Sequence, residues 1–268
     1  MLDHASAALA AAHSAGLAVD RADVVSVAAN VLVRLDPGPV AARLTGATEG
    51  FRDPAANLRR EACLAAALAD AGAPVVAPLG GPYEAGGRVV TLWPWLELDG
   101  HAGDAGAAGR ALRACHDALQ TIDPAGLHLE PLAMLTEARR LATRALPEVL
   151  PAVERALATL GAAPQRIVHG DSHPGNVLWT AGGPLWGDWE DAHLAPLEWD
   201  LGCLVAAARV HGNDFGWAEA ALGAHGGPFD ATLLEACVDA RVAQGAAYLA
   251  ATGRGEVGRH LEWLGGSS

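Results

Sequence analysis

The sequence predicts an α+β protein in which a small antiparallel-sheet lobe is followed by a larger, mainly helical lobe. Short β-branched runs separated by turn residues dominate the first 95 residues, which also contain one long helical pattern. From about Gly103 onward, the apolar residues mostly recur at helical spacing. We therefore expect an N-terminal lobe at residues 1–95 and a C-terminal lobe at residues 96–268, with the boundary near Pro94 to Asp99.

The N-terminal lobe is expected to contain a first helix and then strands on either side of a second helix. In the segment 23–44, β-branched runs are separated by the turn sequence DPGP, in which proline fixes φ and glycine permits the reversal. This segment predicts two or three antiparallel strands. Helix formers and a terminal glycine in the segment 54–72 predict a helix. Two more strands are expected, one near Val75 to Leu79 and one from Arg88 that ends at Pro94.

The C-terminal lobe is expected to be helical except around one polar segment. Helical spacing recurs in three stretches between residues 105 and 163. The sequences RIVHG, NVLWT and PLWGDW then predict short strands, and the chain that follows Asp188 is expected to be helical at once. Further helices are predicted from Glu198 and from about Asp230 to Ala251.

Composition narrows the class of protein. The chain has 268 residues with a hydrophobic fraction of 51%, which is enough to bury a sizeable core. Charges interrupt every apolar stretch before the roughly 20 residues that a membrane helix needs, so we expect no membrane partner. The first 16 residues carry an acid and no basic start, which is typical of a helix and not of a signal peptide. We therefore expect a cytoplasmic protein.

The charge balance argues against a nucleic-acid surface. The formal net charge is −13, and all 18 basic residues are arginine. The part before Asp99 holds 7 arginines and 10 acids, whereas the remainder holds 11 arginines and 21 acids. The negative charge is therefore concentrated in the C-terminal part, where it favours a cationic small-molecule partner.

The four cysteines form no CxxC pair that could bind zinc or perform redox chemistry. Each lies in an apolar helical pattern, where a free thiol behaves as a small hydrophobe. We expect all four to be reduced core residues, namely Cys63, Cys115, Cys203 and Cys237.

The segment IVHGDSHPGNVLW, residues 167–179, places a group of polar residues between two apolar runs. Asp171 and Asn176 lie on a loop after a predicted strand, and Asp188 ends another short strand downstream. A hard cation such as Mg²⁺ takes oxygen ligands, so an amide and one carboxylate beside nucleotide phosphates form a suitable site. The remaining aspartate could then receive a hydroxyl proton. This combination is what phosphoryl transfer requires.

The sequences HGDSHPGN and GDWED resemble the catalytic core of the aminoglycoside phosphotransferase family, and the resemblance extends over most of the chain. It implies a protein-kinase-like two-lobe fold and an ATP- or GTP-dependent kinase. By this resemblance Asp171 is the catalytic base, and Asn176 and Asp188 are the Mg²⁺ ligands. The residues that the resemblance assigns to support of the catalytic loop are His169, His173 and Asp200.

The N-terminal lobe supplies the nucleotide site in this family. The resemblance assigns the phosphate-binding cation to Arg43 and its acidic partner on the following helix to Glu61. No lysine is available for this role, but a guanidinium can bind phosphate and stays charged. Ser26 lies in an alanine-rich stretch where many kinases have glycines that cover the phosphates. Trp93 and Trp95 would form the hinge along which the purine ring lies.

A small-molecule alcohol is the expected acceptor. A protein kinase would continue after its metal-binding aspartate with a long activation segment, for which WEDAHLAPLEWDLG leaves no room. An aminoglycoside is the leading acceptor by resemblance, while amino sugars, macrolides and choline-like alcohols stay open. The acids that could hold ammonium groups of the acceptor are Glu190, Asp191, Asp214, Glu219 and Glu262.

Other interpretations of the same residues stay open at this point. The polar loop residues could be caps and turn formers, and Arg43 with Glu61 could be a surface ion pair. His116 has apolar helical neighbours and is expected to be structural. A metallophosphoesterase would need further histidine ligands in an order that this chain lacks. A kinase-like protein that binds nucleotide without turnover is the remaining alternative.

Overall fold

The computed structural model describes residues 3–28, 30–46, 53–99, 103–210, 212 and 214–266. Its N-terminal part is built on an antiparallel sheet with the strand order β1-β2-β3-β5-β4. As the sequence predicts, the first three strands form consecutive hairpins, and β5 ends at Pro94. The strands are β1 (Arg21–Val27), β2 (Asn30–Asp36), β3 (Val40–Thr45), β4 (Gly80–Ala85) and β5 (Arg88–Pro94).

Two helices cover opposite faces of this sheet. The first, α1 (His4–Ser14), presents alanines to Val31, Val33 and Leu35, the alternate residues of β2 that point to one face. The second, α2 (Pro54–Asp70), places Ala62 and Ala65 against Ala41 and Trp93 on the other face. Because side chains alternate along β3, Arg43 shares the face of Ala41 and points toward α2.

The prediction of a strand near Val75 to Leu79 is wrong. Pro74 precedes this stretch and Pro78 interrupts it, and the paired strand β4 begins only at Gly80. Val75 instead forms an isolated parallel bridge with Trp186, which connects the chain after α2 to the C-terminal part.

The C-terminal part is mainly helical, with two small antiparallel sheets inserted between α5 and α6. The long helix α8 packs against α4, α5 and α6, and their apolar residues share two clusters. The sheets pair β6 (Arg166–Val168) with β9 (His193–Ala195) and β7 (Val177–Thr180) with β8 (Gly183–Trp186). The helices are α3 (Ala105–Leu119), α4 (Ala133–Ala145), α5 (Leu150–Gly161), α6 (Glu198–Arg209), α7 (Phe215–His225), α8 (Ala231–Thr252) and α9 (Gly258–Gly266).

Two further expectations need correction. The chain after Asp188 is not helical at once, because a single 3₁₀ turn at Trp189–Asp191 leads into β9, and α6 begins only at Glu198. Cys63 is exposed on α2, whereas the other three cysteines are buried as predicted. Cys63 points away from the sheet because it lies between the inward-facing positions of Ala62 and Leu64.

The structure confirms the predicted α+β class, with the sheet at the N-terminal side and the helices after it. The lobe boundary between residues 95 and 96 stays a prediction. Within the described residues, no helix combines the length and the apolar character needed to cross a lipid bilayer.

Candidate active site

The loop that follows β6 is held in place by Asp200, a fully buried residue of α6. Its Oδ2 accepts the backbone N–H of His169 at 2.8 Å, and its Oδ1 accepts that of Gly170 at 2.9 Å. The backbone carbonyl of Asp200 accepts the Ser172 hydroxyl at 2.6 Å. Burial by itself raises the pKa of Asp200, but the hydrogen bond from His116 and the further loop contacts outweigh it and lower the pKa. The ionised Asp200 carboxylate therefore holds the backbone of this loop in place.

His169 joins this loop to the strand β8. Its Nε2 lies 2.8 Å from the carbonyl oxygen of Gly187 and must donate there, because a carbonyl only accepts. Its Nδ1 then accepts the backbone N–H of Asp171 at 3.3 Å. The ring is fully buried against Trp186 and Trp189. His169 therefore has the surroundings of a bracing residue, as the resemblance implies.

Gly170 permits the sharp backbone turn that directly precedes Asp171. Its φ is +91°, a value that glycine adopts without strain. A Cβ atom at this position would lie 2.1 Å from the backbone oxygen of Asp191, so the chain after β8 passes directly against the loop. This close approach brings the two segments of the predicted site together.

The Asp171 carboxylate is contacted from two sides. The Arg241 guanidinium of α8 donates a hydrogen bond to its Oδ1, and His173 Nε2 lies 3.4 Å from its Oδ2. Burial raises the pKa of Asp171, but the Arg241 charge and the hydrogen bond from His173 outweigh it and hold the pKa below the usual range. The other ring nitrogen of His173 accepts the backbone N–H of Gly175 at 3.0 Å and fixes the imidazole.

Asn176 and Asp188 provide the oxygen atoms that a hard cation needs. The Asn176 amide nitrogen donates to the backbone oxygen of Asp171 at 2.8 Å, which leaves the amide oxygen as the possible ligand. Asp188 adopts a left-handed conformation with φ of +61°, and its side chain is 42% exposed. This donor set fits Mg²⁺, which favours oxygen ligands and retains several waters. A bound cation would neutralise charge on the nucleotide phosphates.

Arg43 lies between α2 and the segment after β8. Its Nη1 donates to the buried Glu61 of α2, and its Nη2 lies 3.0 Å from Asp188 and 3.5 Å from Glu190. Asn30 also donates to Glu190. One oxygen each of Glu61, Asp188 and Glu190 lies within 4.8 Å of the others. Three carboxylates thus share one guanidinium.

Burial, together with this excess of negative charge, raises the pKa of two of the acids. Burial raises the pKa of Glu61 to about 8, with Asp188 and Glu190 adding to the effect and Arg43 opposing it. Burial and Asp188 likewise raise the pKa of Glu190 to about 7. The surrounding carboxylates and Glu61 in particular raise the pKa of Arg43 although burial lowers it. The Arg43 guanidinium is therefore charged throughout the physiological range.

A cavity of about 510 Å³ connects the predicted nucleotide residues. Apolar residues of the sheet, such as Val31 and Leu32, form part of its wall, which suits a purine ring, and charged residues form another part. Trp93 contributes to the wall although its side chain is mostly packed in the core, with Nε1 donating to Thr91 at 2.9 Å. The predicted site residues along this cavity are Ser26, Arg43, Glu61, Trp93, Trp95, Asn176, Asp188 and Glu190.

The five acids expected at the acceptor are not brought together. Glu190 contacts Arg43 in the wall of the first cavity, and Asp191 lies beside a separate cavity bordered by α2 and α4. Asp214 accepts the backbone N–H of Trp217 and begins α7 as its N-cap. Glu219 and Glu262 are exposed on α7 and α9. These five acids therefore lie at separate places in the structure, and their role at the acceptor stays a prediction.

The structure also shows site residues that the sequence did not indicate. Arg241 of α8 donates to the Asp171 carboxylate and is itself held by Gln244 of the same helix, and Arg60 of α2 donates to the backbone oxygen of Glu190. A weak signal for Arg241 and Gln244 was present, since they are polar residues within the mostly apolar stretch that ends α8. His116 lies apart from the cavity, buried between Asp200 and His225 at 2.8 and 3.0 Å.

The fold and this arrangement of residues define the chain as a protein-kinase-like small-molecule phosphotransferase with a hydroxyl acceptor. The sequence model of the phosphotransferase enzyme family, APH, matches residues 25–255. The chain belongs to this family, which confirms the resemblance found in the sequence. A comparison with curated proteins gives no match.

Solved structures share the fold at low sequence identity. An amicoumacin kinase, hAmiN, in complex with AMP-PNP, Ca²⁺ and Ami is 15% identical, with a TM-score of 0.69 over 91% of this chain and 85% of that one. Choline kinase LicA from Streptococcus pneumoniae is 17% identical, with a TM-score of 0.68 over 96% and 98%. A putative fructosamine-3-kinase from Thermobifida fusca is 20% identical, with a TM-score of 0.65 over 97% and 96%.

Proposed function

We propose that the protein transfers the γ-phosphoryl group of ATP to a hydroxyl of a small, amino-bearing molecule in an Mg²⁺-dependent reaction. The observation that carries this proposal is the convergence of Arg43, Asn176 and Asp188 on one cavity, with Asn176 bonded directly to Asp171. Arg43 binds the phosphates, and Asn176 and Asp188 hold the metal ion. GTP is the alternative co-substrate, because hinge contacts through the backbone leave no trace in the sequence.

Asp171 is the base in this proposal. The acceptor oxygen forms a bond to the γ-phosphorus while the bond from that phosphorus to the β–γ bridging oxygen breaks, which releases ADP. The hydroxyl proton passes to the Asp171 carboxylate late in the transfer. Since the pKa of Asp171 lies below its usual range, the carboxylate is ionised and able to orient the hydroxyl at neutral pH.

The amino-bearing acceptor is supported by charge. The net charge is −13, and most of the acid excess lies after Asp99, on the side of the chain that carries Asp171. Aminoglycosides and amino sugars combine ammonium groups with hydroxyls and are the first class to test. The relatives are named for other alcohols as well, among them choline and a fructosamine, so these belong in the same test.

The test is a panel of acceptors incubated with Mg²⁺ and ATP or GTP and analysed by mass spectrometry for a phosphate adduct. The panel contains streptomycin, spectinomycin, amicoumacin, glucosamine, choline and a fructosamine. We expect one class to be phosphorylated, and we expect Asp171→Ala to lose the product. Asp70→Ala, an exposed residue at the end of α2, is the matched control and should keep it.

Two results would contradict the proposal. If Asp171→Ala phosphorylates the acceptor as fast as the parent protein, the assignment of the base is wrong. If the protein binds ATP but forms no adduct with any acceptor and does not hydrolyse ATP, the alternative of a nucleotide-binding protein without turnover is favoured.

A further inference from the structure

Arg241 is a largely buried charged residue in the middle of α8, a helix of mostly apolar residues. The helix α8 buries ten of its residues, and the immediate neighbours Val242 and Ala243 are almost fully buried. The Arg241 side chain is only 16% exposed. It is not among the residues that line the nucleotide cavity, so its charge acts elsewhere.

Its two guanidinium nitrogens have different partners. Nη2 donates to Oδ1 of Asp171, and Nη1 donates to Oε1 of Gln244, which lies one helical turn further along α8. Gln244 is 3% exposed, so the amide that holds the guanidinium is itself locked in the packed core. With Oδ1 bound to Arg241 and Oδ2 facing His173 at 3.4 Å, the Asp171 carboxylate is constrained on both sides.

A contribution to folding stability does not by itself explain the ion pair between Arg241 and Asp171. The desolvation of two largely buried charges, here 16% and 22% exposed, costs free energy that their attraction often does not return. An apolar pair of similar volume is frequently at least as stable. A methionine, whose side chain is close to arginine in volume, would fill this position among the alanines and valines of α8 without that cost. The charge is therefore more readily explained by what it does to Asp171.

We propose that Arg241 is a positioning residue that holds the Asp171 carboxylate in the orientation needed to receive the acceptor hydroxyl. This inference rests on the proposed function, because it assigns a role relative to the base of the transfer. Arg241 lies on α8 and outside the lining of the nucleotide cavity, so its removal should slow the transfer and leave nucleotide binding intact.

The test compares Arg241→Met with the parent protein in steady-state kinetics, with ATP and either water or the acceptor identified in the panel. Methionine fills the same volume without a charge or a donor. A misplaced catalytic group commonly costs about 100-fold in rate, so we expect kcat to fall by about this factor while the KM for ATP is unchanged. Arg209→Met is the control, because Arg209 forms an ion pair with Glu235 on the surface between α6 and α8.

Chemical rescue separates positioning from packing. In Arg241→Ala the missing side chain leaves space, so added guanidinium chloride at millimolar concentration should restore part of kcat, whereas sodium chloride should not. The same guanidinium should not rescue Arg241→Met, in which the space is filled. Arg241→Lys keeps the charge without the two-nitrogen fork and should fall between the parent and Arg241→Met.

Crystal structures of the parent and of Arg241→Met provide a readout that does not depend on activity. We expect the Asp171 carboxylate to rotate away from its parent orientation in the variant. An unchanged carboxylate would overturn the inference, and so would an unchanged or increased kcat in Arg241→Met. If the parent transfers no phosphate to any acceptor or to water, the proposed function fails, and the crystal structures alone decide whether Arg241 positions Asp171.

Discussion

Arg43 brings a positive charge to the wall of the cavity, where we propose that it binds phosphates, in a chain that contains no lysine. Its two terminal nitrogens bind different elements, with Nη1 at Glu61 of α2 and Nη2 at Asp188 after β8. A lysine ammonium is a compact point charge, and the planar fork of arginine is better suited to span two acids. The absence of lysine is therefore compatible with a working nucleotide site.

Replacement of Arg43 by methionine should weaken nucleotide binding. Hydrogen bonds to charged groups contribute about 1.5–3 kcal/mol, so the Kd for Mg²⁺–ATP should rise roughly 10- to 100-fold. Isothermal titration calorimetry on the folded variant measures this change. Arg21→Met removes an exposed arginine from β1 of the same sheet and should leave the Kd unchanged. Equal Kd values for Arg43→Met and the parent would show that Arg43 does not bind the phosphates.

The residues on the two polar segments could be predicted because their order and spacing are local. Asp171, Asn176 and Asp188 lie within 18 positions, and in the structure Asn176 donates to the Asp171 backbone and lines the same cavity as Asp188. Glu190 lies next to them in sequence but had been expected at the acceptor. The left-handed turn at Asp188 directs the chain back toward α2, so that Glu190 meets Arg43. Such a turn at a residue other than glycine leaves no reliable mark in the sequence.

At the scale of elements, long segments with clear spacing could be predicted and short ones could not. The helix α2 begins at Pro54 as expected, with Asp53 capping the N–H groups of Ala55 and Ala56. By contrast, β9 has only three residues and exists because β6 is available to pair with it. No local pattern specifies such a strand, since its stability comes from the tertiary partner.

The crossing of α3 and α7 depends on a glycine. A Cβ atom at Gly109 of α3 would lie 2.0 Å from the backbone oxygen of Ala221 in α7, so the two backbones touch at this point. Gly109→Ala should therefore separate the helices and lower the free energy of unfolding by roughly 1–3 kcal/mol, as overpacking does elsewhere. Urea denaturation followed by circular dichroism measures the loss.

Gly223→Ala is the matched control on the same pair of helices. A Cβ atom there has no neighbour within 4 Å, and alanine is favoured over glycine inside a helix by roughly 0.8–1.0 kcal/mol. This variant should be slightly more stable than the parent. The packing argument would be refuted if both variants shifted stability in the same direction by similar amounts.

For the whole molecule, the charges gathered between the sheet and the helical part set how stability depends on pH. Glu61 and Glu190 have pKa values raised to about 8 and about 7, so between pH 4.5 and these values the folded state binds more protons than the unfolded state. Their contribution to stability is therefore lost as the pH rises. Burial lowers the pKa of His193 and of His225 to about 4, which makes stability rise with pH up to about 6.5.

Up to about pH 6.5 the two histidines raise the stability with pH while the two glutamates lower it. Above about pH 6.5 the change in stability comes mainly from the two glutamates. The free energy of unfolding should then fall by on the order of 2 kcal/mol between pH 6.5 and 8 in the presence of EDTA. Urea titrations followed by tryptophan fluorescence measure this fall. Glu190→Gln should show a smaller fall because one of the two raised carboxyl groups is gone, and Glu219→Gln on the exposed face of α7 should behave like the parent. A free energy of unfolding that stays constant or rises between pH 6.5 and 8 would contradict this prediction. It would mean that Glu61 and Glu190 are already ionised at pH 6.5, with the Arg43 charge alone stabilising the three carboxylates.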